Sequence, residues 1–218
     1  MSLALTRLLQ LASPALPVGA YTYSQGLEWA VEAGTVKDEA TARRWIVDQL
    51  EWNLGRFEAP FLAQMMAAWK VGAGATALAL DARYLASRES SELRAETLQM
   101  GHSLRKLIDD LFLPLAVPPA SSFAATWSAL AMYWGAETRE ALTAWLWSWA
   151  ENQTMAALKA VPLGQAAGQR ILLELGALIP GVVERALTLP EDDFSNFAPG
   201  FAIACARHET QYSRLFRS

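Results

Sequence analysis

Apolar residues along this chain recur at helical spacing nearly from end to end, and no stretch of convincing length alternates with the period of two that a strand requires. Ala42, Trp45, Ile46, Gln49, Leu50 and Asn53 mark one mostly apolar face, opposite Arg43, Arg44, Asp48 and Glu51. Asp38 is placed to cap this helix, and Gly34 to end one running from about Ser24 to Ala33. Further helices are expected over 56–71, with Pro60 in its first turns, over 76–86 and over 90–111. After the break at Leu113-Pro114 and Val117-Pro118-Pro119, helices are expected over 120–133, 138–160 and 164–178, the last continuing briefly past Pro180-Gly181 to Leu187. The expectation is an all-α, single-domain helical bundle of roughly ten helices, with no internal repeat. Residues 1–188 form its body, and 189–218 a linker and C-terminal docking tail of the same domain.

A chain of 218 residues can bury a core large enough to fold without metal or disulfide staples. Its hydrophobic share of 53%, with nine tryptophans, exceeds what such a core usually needs, which points to partner contacts or to a generous interior. The helix faces carrying Trp127, Trp145 and Trp149 fit core and interface equally well by periodicity. The single cysteine, Cys205, rules out an internal disulfide framework and fits a reducing compartment. Arg7 and Gln10 interrupt the apolar N-terminal stretch, and no basic region precedes it, so no targeting signal is read there. Apolar runs stay short of a membrane span, and the cytoplasm is the expected location. A net charge of −4 without a basic, aromatic-rich stripe speaks against nucleic acid as a partner.

Chemistry finds little foothold. There is no phosphate-cradling GxxxxGK[ST] segment. Cys205 and His208 would share a helix face, and with Glu209 they offer at most three ligands where a structural zinc needs four, so no metal site is expected and no cofactor. The same three residues are the only basis for the alternative reading, a small helical cysteine-dependent hydrolase. Glu89, Glu92 and Glu96, with Arg88 and Arg94 beside them, read as a solvated, salt-bridged helix face.

Three other stretches stand out. In SPALPVGAYTYSQGLE (13–28), Pro14, Pro17 and Gly19 build a rigid turn that would present Tyr21 and Tyr23, with Ser24 as a helix N-cap and Gln25 and Glu28 on the opening turn. A capped helix with buried tyrosines is the plainer reading of the same residues. In KAVPLGQAAGQRIL (159–172), Gly164 and Gly168 allow close approach of a neighbour. Lys159, Gln165 and Gln169 surround them with polar groups, and internal packing is the alternative. In RHETQYSRLFRS (207–218), Tyr212, Leu215 and Phe216 are interleaved with Arg207, Glu209, Arg214 and Arg217, a density of anchors that suits either a docking tail or a last helix packed on its own domain.

Together these stretches, in this order and spacing, resemble the urease accessory protein UreF family, and a fourth, SRESSELRAETLQMGHSL (87–104), is similar to its middle helix. The three stronger motifs cover about 42 residues. The resemblance implies a noncatalytic helical protein that dimerises and bridges UreD (also called UreH) to the GTPase UreG as nickel is delivered to the carbamylated site of apo-urease. A role in controlling the GTPase also follows, with Arg207, Arg214 and Arg217 as candidates for an arginine supplied in trans. The partner-binding residues expected on this basis are Tyr21, Tyr23, Ser24, Gln25, Glu28, Lys159, Gln165, Gln169, Arg207, Glu209, Tyr212, Arg214, Leu215, Phe216 and Arg217. The resemblance also places the tail among the elements that order in the complex with UreD, and Arg214 is expected to bond back to the Tyr21–Tyr23 turn.

Overall fold

Short polar side chains set where several helices begin. Asp38 and Thr41 form a reciprocal capping box, with the Thr41 amide donating to Asp38 Oδ1 at 2.9 Å, and this starts α3 (Glu39–Asp48). Ser90 and Ser122 cap α6 (Ser91–Asp110) and α7 (Phe123–Tyr133) without the reciprocal bond, by accepting from the amides of Leu93 and Ala125. Replacing Asp38 by alanine removes the cap and should lower the melting temperature by a few degrees. A loss several times larger would mean that the cap also holds tertiary structure.

The computed structural model describes residues 3–218, and within them it contains ten α-helices and no strand. The remaining helices are α1 (Leu3–Ala12), α2 (Leu27–Glu32), α4 (Ala59–Lys70), α5 (Gly74–Ala86), α8 (Thr138–Ala160), α9 (Gln165–Thr188) and α10 (Pro199–His208). Helix α7 is buried along eight consecutive residues, Ala124 to Ala131, so it runs through the centre with α4, α6 and α8 packed around it. Trp127 and Trp145 meet edge to face at 5.4 Å inside this core, which settles those two tryptophans as interior. Gly101 lets α6 cross α7 closely: a Cβ there would lie 2.6 Å from the Ser121 carbonyl oxygen. Gly168 does likewise for α9, since its missing Cβ makes room for Leu158, so that glycine serves packing. Among the described residues no helix is long and apolar enough to cross a membrane.

Several boundaries differ from those expected. Between α3 and α4 the chain does not break but passes through ten residues of π-helix, Gln49–Glu58. Pro60 has no N–H to give the Arg56 carbonyl one turn back, and Ser195, in the segment after α9, supplies an amide to that oxygen at 3.1 Å instead. By contrast α9, Gln165–Thr188, runs through Pro180 and keeps its expected bounds to within one residue at each end. The first expected helix also starts later, at Leu27, because Gln25 and Gly26 take left-handed backbone (φ 52° and 76°). A helix also forms over Pro199–His208, within the stretch expected to be linker and tail, and it packs against α2.

Candidate functional site

The left-handed pair Gln25-Gly26 turns the chain so that the amides of Ser24 and Gln25 point the same way. Both donate to the main-chain oxygen of Ser218, at 2.8 and 3.0 Å, and the Ser24 hydroxyl donates to it at 2.6 Å. Two adjacent amides in this conformation form a concave nest for a partial negative charge. Gly26 also lets α10 close in, since a Cβ there would sit 3.1 Å from the Cys205 amide nitrogen and from its Sγ. Ser24 therefore does not cap α2. It is buried and anchors the end of the tail, although its Oγ still accepts weakly from the Glu28 amide at 3.3 Å.

Glu28, in the first turn of α2, holds the next part of the tail. Its carboxylate accepts the amides of Leu215 at 2.6 Å and Phe216 at 3.0 Å, while the Arg217 amide donates to the Thr22 carbonyl at 2.8 Å. These bonds seat the Phe216 ring in the main core, where it is buried. His208, at the end of α10 and fully buried, places Nδ1 2.6 Å from Glu92 and Nε2 3.3 Å from Glu28. Glu92 also receives Arg214 at 2.5 Å. Glu209 closes the arrangement by accepting the amide and hydroxyl of Ser91, each at 2.7 Å, and the Ser91 bonds hold its carboxyl below the usual range. It thereby places a negative charge at the positive N-terminal end of α6.

Two expectations are corrected here. Arg214 does not bond to the tyrosine turn: its guanidinium goes to Glu92, and the turn is met instead by the backbone of Arg217 and Ser218. The Glu89–Glu96 face is not a solvated ion-pair ladder either. Glu96 is buried, with its oxygens taking the Gln25 side-chain amide at 2.7 Å and the Ser218 hydroxyl at 2.6 Å. Burial pushes its pKa up to about 7, and burial likewise raises Glu89. The acids at 89, 92 and 96 are visible in the sequence, but their complement is distant: a tail rich in donors that makes this acidic face the floor of a groove.

The tyrosines divide. Tyr21 is presented to solvent at 66% exposure, whereas Tyr23 is buried beside Arg217, its hydroxyl pKa raised chiefly by burial. Helix α8 supports the turn from below: Trp149 donates to the side-chain oxygen of Gln25 at 2.7 Å, and Asn152 to the Tyr23 main-chain oxygen at 3.2 Å. Lys159, near the end of α8, lies 5.8 Å from the ring centres of both Tyr21 and Phe216 and so bridges turn and tail. Tyr212, Leu215, Arg207 and Arg217 remain exposed. Gln165 and Gln169 are exposed on the opening turns of α9, separate from the contacts that tie tail to turn.

The cysteine chemistry loses its geometry. Both ring nitrogens of His208 face carboxylates, and burial pushes the Cys205 thiol well up, away from the thiolate a nucleophile needs. Among the described residues no group of three or more His, Cys, Asp and Glu side chains is arranged to hold a metal ion.

The family model for UreF matches residues 36–176. A urease accessory protein UreF of Azoarcus sp. (strain BH72) is 60% identical, over 99% of this chain and 96% of that protein. Proteins of the same description from Dechloromonas aromatica (strain RCB) and Methylobacillus flagellatus are 59% and 48% identical, over 99% and 100% of this chain and 98% and 99% of theirs. Turn and tail, at positions 13–28 and 207–218, lie outside the span of the family model but inside these full-length similarities.

Proposed function

The chain belongs to the UreF family of urease accessory proteins, and from that membership we propose that it is a noncatalytic cytoplasmic scaffold, paired as a homodimer. It would join UreD (UreH) to the GTPase UreG while apo-urease receives nickel. Nickel is cargo in this reading, not a resident cofactor. The observation that carries it is the closure of the tail on the 21–28 turn, which makes one surface from two distant parts of the chain. Its outward groups, Tyr21, Tyr212, Leu215, Lys159 and Arg217, mix aromatic, aliphatic and cationic side chains, the composition that anchors protein interfaces. Tyr23, Ser24, Gln25, Glu28, Glu209, Arg214 and Phe216 hold that surface in shape from beneath or beside it.

The test is size-exclusion chromatography with light scattering on mixtures with UreD and UreG. Full-length chain is compared with a truncation after Glu209, which keeps α10 and the Ser91 cap. Full-length protein should form the ternary complex and the truncation should not; equal assembly by both would place the recruiting surface elsewhere. Single-turnover GTP hydrolysis by UreG in the assembled complex then reports on GTPase control through the exposed Arg207 and Arg217, and an unchanged rate leaves a pure scaffold.

Gln165 and Gln169 give a separate prediction. Being exposed, their alanine variants should change stability by no more than about 0.5 kcal/mol. If this polar face is part of the partner contact, complex yield should nevertheless fall. Unchanged yield removes both residues from the interface.

A further inference from the structure

The tail is fastened over a carboxyl group that has no cation in contact with it. Glu96 lies on α6 beneath Ser218, and its two direct partners, the Gln25 amide and the Ser218 hydroxyl, are neutral. The nearby Arg88 guanidinium is 2.5 Å from Glu58, and Glu89 also draws on its charge, so one cation serves three buried or half-buried carboxyls. On the tail side, Arg214 and His208 are spent on Glu92 and Glu28. Tyr23 and Arg217 face the site from the turn and the tail, and Cys205 from α10. Of these only Arg88 sets a positive charge near Glu96; it makes no contact with it, and the charge of Glu58 acts in the opposite sense. A carboxylate buried among neutral donors is disfavoured unless it takes up a proton or water reaches it.

We propose that the tail is a proton-linked latch: it is docked with a proton held on Glu96, and it opens as that proton is lost. The inference rests on contacts within this chain and holds whichever partner the exposed surface binds.

The sign follows from linkage. The docked carboxyl has its pKa raised to about 7 by burial, whereas an undocked, hydrated one has the ordinary value near 4.5. Docking therefore takes up a proton between those values, is strongest below them, and weakens as pH rises through 7. From pH 6 to pH 8.5 the opening equilibrium should rise by roughly tenfold, the part of this shift that falls in that interval.

Hydrogen exchange of the Leu215, Phe216 and Arg217 amides, corrected for the intrinsic pH dependence of exchange, measures that equilibrium in the whole protein. The wild type should lose about a factor of ten in protection between pH 6 and pH 8.5, most of it below pH 7 and levelling off above that. Glu96→Gln, which mimics the protonated group, should stay protected across the range with a flat profile. A flat wild-type profile overturns the latch without recourse to any variant. So does a Glu96→Gln profile with the wild-type slope, or one unprotected at every pH.

Discussion

Replacing Glu28 by alanine should free residues 210–218 from the body of the protein while leaving the helical core folded. The Glu28 carboxylate is the acceptor for two consecutive tail amides, at 2.6 and 3.0 Å, and it faces the buried His208 ring. Hydrogen bonds to a charged group contribute about 1.5–3 kcal/mol each, and a buried donor left without an acceptor is penalised besides. Loss of both amide bonds should therefore weaken docking by about 3 kcal/mol, on the order of a hundredfold in the docking equilibrium. Trypsin should then cleave after Arg214 and Arg217 far faster than in the wild type. Glu28→Gln keeps one acceptor oxygen and should lose less. Wild-type resistance to trypsin in the alanine variant would show that Phe216 burial alone holds the tail, and would remove Glu28 from the argument.

Why this acid was legible as a residue of interest, but not in its role, says something about reading such chains. Periodicity placed α8 at its observed bounds, and Asp38 and Gly34 placed a helix start and a helix end, because those signals are local. The sequence places a helix start near Arg56, with Pro60 in the first turns, whereas the chain runs on unbroken from α3 through a π-helical segment, and an amide from residue 195 satisfies the freed Arg56 carbonyl. That compensation is 139 residues away in sequence and leaves no local trace. The same holds for the site. Tyr21, Glu28, Lys159 and Phe216 stand out as residue types, but Glu92, Glu96, His208, Trp149 and Asn152 acquire meaning only when the tail lies across α2, α6 and α8. The expectation for Arg214 failed on this point. A guanidinium seeks the best acceptor within reach, and a carboxylate on α6 outbids a tyrosine turn. An acidic helix face together with an arginine-bearing tail is the signal that could have joined them.

The second large effect belongs to Arg88, which sits under the latch. Its side chain is 5% exposed, donates to Glu58 at 2.5 Å and stacks 4.2 Å from the centre of the Tyr84 ring. Burial by itself would lower its pKa, but Tyr84, Glu58 and Glu89 outweigh that and hold the guanidinium charged. Arg88→Ala removes the one cation these carboxyls share and enlarges an existing cavity of about 70 Å³ lined by Glu58, Glu96 and Trp149. Breaking a buried pair from one side typically destabilises by about 3–5 kcal/mol, because the surviving charge is left uncompensated. For a chain of this size that is a fall of about 10 °C in melting temperature. The charge argument is separated from the packing argument by a second substitution. Arg88→Met combined with Glu58→Gln restores volume and removes the stranded charge, so it should recover more than half of the loss. If the double variant melts as low as Arg88→Ala, the guanidinium acts through its stacking on Tyr84 and Phe57, and the carboxyls around it are not held by its charge.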